Sequence, residues 1–482
     1  MDCARRDLQI IVLAAGQGKR MKSKLPKVLH RLCGQTLIER VIRAASGLNP
    51  KRIVLVIGHS KELVLNELNS WRSRPDFKNI EFKTAIQDEQ LGTGHAVQMA
   101  FPELDENISK LLIVPGDSPL IKTSTLEPLV TAACAASAPD LLILTTKPTN
   151  PHGLGRIVRN KDGSIKKIVE ELDCDSEEQK ITEVNTSIYA GKTVFFKSML
   201  DKLGSDNAQK EIYLTDIVEV GLNNGSKVEG ITTQFQHEVA GANSREELSM
   251  LEKIRRAEIN RAHMLAGVSF QDPDAAYIDE GVKLGLDSYI GAGVSLKGTC
   301  EIGCGVSIDE HSTIINSSIG DNVHIKHASH IEAANIGNGC QIGPFARLRP
   351  DSVLEADVRI GNFVETKKVH IQRDAKVNHL TYLGDAEVGE EVNVGAGTIT
   401  CNYDGFAKHK TTIANGAFIG SNASLVAPVN IGAGAIVGAG SVITEDVPAN
   451  ALAIERSTQK NIDEWAKQKR IGASRKTKGS ND

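Results

Sequence analysis

No run of the 482 residues stays apolar for the ~20 positions a helix needs to cross a bilayer, so no membrane-spanning helix is expected. The opening stretch Met1–Asp7 mixes Asp2 and Asp7 with Arg5 and Arg6. It leads into only a short apolar run, Ile10–Ala15, which does not make a secretory signal. No Cys-X-X-Cys pair occurs. Cys3, Cys33, Cys134, Cys174, Cys300, Cys304, Cys340 and Cys401 are scattered, the pattern of free thiols in the cytoplasm. Cys300 and Cys304 have no second pair at finger spacing, which argues against a zinc site. The net charge is only −4, which gives no support to bulk binding of nucleic acid; no membrane partner is expected either. Aromatic residues are scarce, at 4%, whereas glycine, at 43 residues, is abundant. Both biases originate in the second half of the chain.

The first ~240 residues alternate Ile/Val/Leu-rich runs with helical patterns, the signature of an α/β fold with a mostly parallel sheet. Strands are predicted at Gln9–Ala14, Ile53–Ile57, Leu111–Val114 and Leu141–Thr145. A helix should follow Ser244, with Glu247 completing a capping box, Leu248, Leu251, Ile254 and Leu265 at helical spacing, and Gly267 as its stop. Twenty-odd residues at ~1.5 Å each span about 30 Å, which suits a stiff connector. The expected domains are therefore 1–245, a linker helix 246–266, and 267–482.

Beyond Tyr277 aliphatic residues recur every six positions: Ile290, Leu296, Ile302, Ile308, Ile314; then Ile336, Ile342, Leu348, Leu354, Ile360; then Ile413, Ile419, Leu425, Ile431, Val437, Ile443. Glycine often follows. One inward residue per flat side and a small residue near the corner give three hexads per coil, and stacked coils make a parallel β-helix. Its narrow interior accounts for the few aromatics. The tail from about Ala466 carries Lys467, Lys469, Arg470, Arg475, Lys476 and Lys478, and reads as solvated and partly disordered.

Two segments carry chemistry. Leu13–Lys27, LAAGQGKRMKSKLPK, follows the first strand. Gly16 and Gly18 let backbone N–H groups approach a phosphate, and Arg20 and Lys27 add positive charge. It is neither a dinucleotide fingerprint, lacking the third glycine, nor a Walker A loop, since Lys19 precedes Arg20 rather than Ser or Thr. The second segment, NHLTYLGD at Asn378–Asp385, interrupts the hexads with bulky polar residues. His379 there suits a general base, because imidazole ionises near neutrality. His324, His327 and His330 are spaced by three, but on hexad sides such residues need not converge on a metal.

The Leu13–Lys27 string resembles the signature of sugar-nucleotide pyrophosphorylases. From Leu13 to about Arg456 the chain resembles the bacterial bifunctional N-acetylglucosamine-1-phosphate uridyltransferase/glucosamine-1-phosphate acetyltransferase family. The resemblance implies a Rossmann-like nucleotidyltransferase domain, a linker helix and a left-handed parallel β-helix assembled as a cytoplasmic homotrimer. It implies acetyl transfer from acetyl-CoA to glucosamine-1-phosphate, then uridylyl transfer from UTP with Mg²⁺, feeding peptidoglycan and lipopolysaccharide synthesis.

By the same resemblance Leu13, Ala14, Ala15, Gly16 and Lys27 hold the nucleotide, and Gln87, Gly92 and Thr93 read uracil. Gly153, Glu170 and Asn185 bind the sugar, while Asp117 and Asn243 hold Mg²⁺, Asn243 also touching substrate. In the second half His379 is the base. Arg349, Lys367, Tyr382 and Asn393 bind the sugar phosphate, and Ala396, Asn402, Tyr403, Ser421, Ala439 and Arg456 bind acetyl-CoA. Lys19, where the family commonly has Thr, and Asn378, where a small residue is familiar, are departures. A single-activity nucleotidyltransferase with a β-helical oligomerisation domain would not need His379, Tyr382 and Asn393. A non-enzymatic module of similar architecture would have no use for Lys27 and Asp117.

Overall fold

A computed structural model describes residues 7–58, 60–72 and 74–478. The first six residues, with Cys3 and most of the supposed non-signal stretch, lie outside them. The chain forms two compact units, one reaching to Arg261 and including Ile278–Glu280, the other comprising Ala262–Tyr277 and the residues from Gly281 on. The division falls inside the predicted linker helix rather than on either side of it. Among the described residues no helix is long and apolar enough to cross a membrane.

The first unit is built on the strands β1 (Leu8–Ala14), β2 (Arg52–Ile57), β3 (Glu81–Ile86), β4 (Lys110–Pro115), β5 (Leu141–Thr146), β6 (Arg156–Arg159), β7 (Ile165–Val169), β8 (Val184–Lys192) and β9 (Val228–Thr233). The sheet runs β9-β5-β8-β4-β1-β2-β3, with β6 and β7 paired as an extension on β8. Along that path only β8 is reversed, antiparallel to both β4 and β5. All four predicted strands are present, each extended by a residue or two. Their uniform apolarity reflects burial on both faces. Ile10 and Val12 of β1 join one core, with the helices α1 (Leu37–Ser46), α2 (Lys61–Arg72) and α4 (Thr123–Ala133). Ile11 joins the other, with α3 (Thr93–Ala100), α5 (Thr193–Leu200) and α6 (Ile217–Asn223).

Helix α7 spans Arg245–Leu265. Its start is the anticipated capping box: Glu247 N–H donates to Ser244 Oγ at 3.1 Å, and Ser244 N–H donates back to Glu247 Oε2 at 3.2 Å. At its end Gly267 adopts φ 94°. Val268 N–H then bonds the His263 carbonyl and Gly267 N–H the Met264 carbonyl, the double closure that a left-handed glycine permits.

In the second unit the hexads become short parallel strands. Ile290 pairs in register with Ile308, Ile308 with Ile325, Ile325 with Ile342 and Ile342 with Ile360, and all are buried. Residues six apart thus occupy successive sides, and residues 17 or 18 apart stack. The column continues through Val377 and Val394 to Ile419 and Val437. The step from Val394 to Ile419 is longer because the chain makes an excursion at 402–410, closed by a Tyr403–Lys408 bridge, with Phe406 at 96% exposure.

Close stacking leaves no room for a side chain at some corners. A methyl group on Gly361 would lie 1.8 Å from the Asn378 carbonyl oxygen. Gly361→Ala is expected to destabilise this unit by about 1–3 kcal/mol, the usual range for forced overpacking. Thermal unfolding followed by circular dichroism checks it, and an unchanged Tm would show that the corner can relax.

The tail is exposed over 456–471, as expected, and Trp465–Lys478 is a helix, α8, where part of it was expected to be disordered. It begins in residues with good helix propensity, Ala466 through Arg470, and Lys467 pairs with Glu464 at 2.7 Å. Lys469 also lies over the Trp465 ring.

Candidate functional site

In the first unit the strand ends create a cavity of about 570 Å³. The carboxyl ends of parallel strands leave backbone groups and following loops free to face a ligand. Leu13, Ala14, Ala15 and Gly16 line it after β1, Gln87 after β3, Asp117 after β4, and Gly92, Thr93, Lys27 and Asn243 complete the predicted set. Sequence reasoning missed Gln90, Ser187 and Glu211, which also line it. Ser187 sits in a bulge of β8 between Asn185 and Ile188 and adopts φ 60°. That bulge is a feature of pairing register and leaves no residue pattern to read.

Each polar wall has a local cause. Gly18 caps the Lys19–Met21 turn at φ 61°, and a Cβ there would lie 2.7 Å from Lys27 Cβ. The glycine therefore lets the turn fold back against Lys27. Gly18→Ala combines a strained φ with displacement of Lys27, and should slow the chemistry of this cavity by at least about tenfold. A kinetic assay on the purified variant checks it, and undiminished turnover would mean that the loop adapts. Gln87 is 3% exposed, and its amide nitrogen lies 3.0 Å from the Gly92 carbonyl and 3.1 Å from His95 Nδ1. Gly92 itself is packed under Ile212, whose carbonyl accepts from Gly94 N–H at 2.8 Å.

The centre of the cavity is an ion cluster. The Lys27 ammonium donates to Asp117 Oδ2 and, at 3.0 Å, to Asn243 Oδ1. The two residues expected to hold a metal thus already face one cation together. Glu247 reaches past its cap to accept from Asn243 N–H at 2.6 Å. The capping box of α7 therefore also sets the position of Asn243.

The three predicted sugar residues do not line this cavity. Gly153 lies before β6 at φ 79°. Glu170 accepts from Thr215 Oγ1 at 3.2 Å, and burial pushes its carboxyl above the ordinary range. Asn185 donates to the Tyr189 hydroxyl at 2.8 Å and accepts from Ser187 N–H at 3.0 Å. Asn185 N–H also bonds the Gly155 carbonyl at 2.8 Å. Asn185 adjoins the cavity through Ser187.

The second unit places its residues in columns. Lys367 pairs in register with Gly384, and Arg349, one residue beyond the Leu348–Thr366 pair, stacks beside Lys367. Tyr382 fills the space over Gly384, where a Cβ would be 2.4 Å from the phenol oxygen. The Lys408 ammonium, on the excursion, and then the Arg349 guanidinium hold Lys367 below the usual lysine range. Arg349 pairs with Glu365 at 2.8 Å. Cations converge here beyond the carboxylates that answer them, as an anion site requires.

On the neighbouring corner His379 is paired in register with Asn362. Two residues beyond the register partners Val377, Val394, Ile419 and Val437 lie His379, Ala396, Ser421 and Ala439, so these four share one column. Arg456 Nη1 donates to the Ala439 carbonyl at 3.1 Å, which brings the last predicted residue to the same column. Asn393 lies on the flat side, in register with Lys376 and Phe418. Asn402 donates to Asp385 Oδ2 at 2.6 Å, and the exposed Tyr403 hydroxyl donates to Gly405 O. Sequence reasoning missed Asn362 and Asp385, which stacking brings to predicted residues, and Lys408, which the excursion brings to Lys367.

His324, His327 and His330 do not converge. His324 pairs with Asp309 at 3.0 Å, and His327 packs edge-on against His311 and Phe345. Among the described residues no group of three or more His, Cys, Asp or Glu could hold a metal.

Comparison with known proteins agrees with this layout. Residues 10–185 match the MobA-like NTP transferase domain, 273–368 the GMPPB C-terminal domain, and 410–445 the bacterial transferase hexapeptide. The chain is 43% identical to the bifunctional protein GlmU of Trichlorobacter lovleyi, over 95% of this chain and 98% of that one. It is 46% identical to the GlmU of Cellvibrio japonicus over 95% and 98%, and 47% identical to that of Carboxydothermus hydrogenoformans over 95% and 99%.

Proposed function

The chain belongs to the bifunctional GlmU family, and from that premise we propose that it makes UDP-N-acetylglucosamine in two steps. The second unit acetylates glucosamine-1-phosphate with acetyl-CoA. The first unit then joins the product to UTP and releases pyrophosphate. The observation that carries the reading is the convergence of the eight predicted nucleotide residues and the two predicted metal ligands on one cavity around Lys27 and Asp117.

In the acetyl step the glucosamine amine attacks the thioester carbonyl. The N–C bond forms, the C–S bond breaks, the amine proton passes to His379, and His379 returns it to the departing sulfur, so that coenzyme A leaves as its thiol. Arg349, Lys367 and Lys408 hold the sugar phosphate, with Tyr382 and Asn393 beside it. The Ala396–Ser421–Ala439 column, with Asn402, Tyr403 and Arg456, receives the pantetheine and nucleotide of acetyl-CoA. The small side chains of that column leave room for an extended ligand along it.

In the uridylyl step the sugar-phosphate oxygen attacks the α-phosphorus of UTP and pyrophosphate departs. Leu13–Gly16 present backbone to the nucleotide. Gln87 has its amide nitrogen engaged with Gly92, so its Oε1 is the atom available to accept from uracil N3–H. Gly153, Glu170 and Asn185 take the N-acetylated sugar. Asp117 and Asn243 fit Mg²⁺: both offer oxygen, both already face a cation, and Mg²⁺ needs only one or two protein oxygens. When bound, Mg²⁺ neutralises phosphate charge. Lys27 supplies positive charge to the same oxygens from the protein side.

A homotrimer in the cytoplasm is the assembly proposed. Its support is an exposed apolar column at one β-helix corner, where Phe345 and Phe363 stack at 5.5 Å with Leu380 next in line. Light scattering should give about three times 51.9 kDa. A monomeric mass would overturn the trimer. The activity is tested directly with glucosamine-1-phosphate, acetyl-CoA, UTP and Mg²⁺, following thiol and pyrophosphate release. Thiol release without pyrophosphate release, or the reverse, would reduce the protein to one activity.

A further inference from the structure

We infer that Asn362 is a positioning residue for acetyl transfer, holding His379 in the single neutral tautomer that can act as a base. The inference rests on the assignment of His379 as that base. His379 Nδ1 lies 3.2 Å from Asn362 Oδ1. An amide oxygen can only accept, so Nδ1 must carry the proton, and the lone pair is left on Nε2. The opposite tautomer would set two lone pairs against each other and leave an N–H where the substrate amine must deliver its proton.

The contact follows from the coil geometry. Asn362 and His379 are partners on adjacent parallel strands, Arg359–Asn362 and Lys376–His379. Each is followed by a corner residue in the left-handed region, Phe363 at φ 55° and Leu380 at φ 43°. Leu380 N–H bonds the Asn362 carbonyl at 3.1 Å, and Thr381 Oγ1 bonds the His379 carbonyl at 2.6 Å. The backbone around the pair is thus anchored on both coils, and the two side chains leave neighbouring corners side by side. The Asn362 amide contributes direction without charge. The charged side chains on these two strands are Arg359 and Lys376, in register with each other three residues before the pair. Across the corner Glu365 is tied to Arg349, and Asp385 to Asn402. The His379 ring is therefore oriented by an uncharged group, which fixes its tautomer without stabilising its protonated form as a carboxylate would.

Two substitutions separate orientation from simple packing. Asn362→Ala removes the acceptor, and the ring is free to change tautomer and to tilt. The kcat of thiol release should fall about tenfold, with the KM for glucosamine-1-phosphate within about twofold. Asn362→Asp keeps an acceptor at the same place but adds a negative charge. Its maximal rate should stay close to that of the unaltered protein. The acid limb of its pH–rate profile should move about one unit to higher pH, because a carboxylate beside an imidazole favours the charged form. Uridylyl transfer, measured on the same preparations, should not change, and the melting transition followed by circular dichroism, which reports folding of the second unit, should stay in place. Asn362→Ala at full rate, or Asn362→Asp with an unmoved acid limb, would overturn the positioning role. If His379→Ala itself releases thiol normally, the base is misassigned, which is a different failure.

Discussion

His379→Ala is expected to release thiol from acetyl-CoA about 10²–10⁴-fold more slowly than the unaltered protein, with uridylyl transfer intact. That span is the usual contribution of a general base placed to take a proton in the transition state. The amine of glucosamine-1-phosphate is protonated in neutral solution and must lose two protons in all, one before attack and one during it. Without the imidazole the second proton can only go to water. His379 is exposed at a corner, and among the described residues its ring bonds a neighbouring amide alone, so removing the ring should leave the fold unharmed. The expected signature is therefore a loss in kcat with little change in melting temperature. Thiol release within a few-fold of normal would mean that another group, or solvent, takes the proton.

Asp117→Ala should produce the mirror image: pyrophosphate release lowered about 10²–10³-fold and acetyl transfer unchanged. The magnitude matches the loss of one preorganised electrostatic group from a site where charge neutralisation dominates catalysis. Two effects act together. The proposed Mg²⁺ site loses its only carboxylate, and the Lys27 ammonium loses the partner that now holds it. Lys27 would remain attached to Asn243 Oδ1 alone. The variant should need a higher Mg²⁺ concentration to reach half its maximal rate, which a Mg²⁺ titration of the uridylyl step measures. A normal rate and a normal Mg²⁺ requirement would remove Asp117 from the site. The two variants together test whether the activities belong to separate units, since each should silence one assay and spare the other.

Much of this architecture was legible in the chain. Strands buried on both faces are uniformly Ile, Val and Leu, so β1, β2, β4 and β5 stood out. The Ser244–Glu247 cap and Gly267 marked both ends of α7 because each satisfies backbone groups that a helix terminus leaves bare. The hexads announced coils because every side must bury one aliphatic residue. Where local pattern and structure parted, a longer-range effect was responsible. The basic tail reads as solvated and partly disordered; it is exposed, yet much of it forms a helix of favourable residues. Gly153, Glu170 and Asn185 were expected to bind the sugar, and none of them lines the cavity; Asn185 borders it through its bond to Ser187.

The sequence by itself determined what each segment is: a parallel α/β sheet with a phosphate-type loop, a capped helix, and a six-residue repeat. Those features depend on nearest neighbours and on a single periodicity, and both are written locally. Only the tertiary structure decided which residues meet. Lys27, Asp117 and Asn243 come from three distant segments, and the ion cluster they form is a product of strand order and of the Glu247 cap. Asn362 and His379 become neighbours because one coil takes 17 residues from corner to corner. Such a contact depends on the sum of all turns between two positions, and no single residue in either segment records that sum.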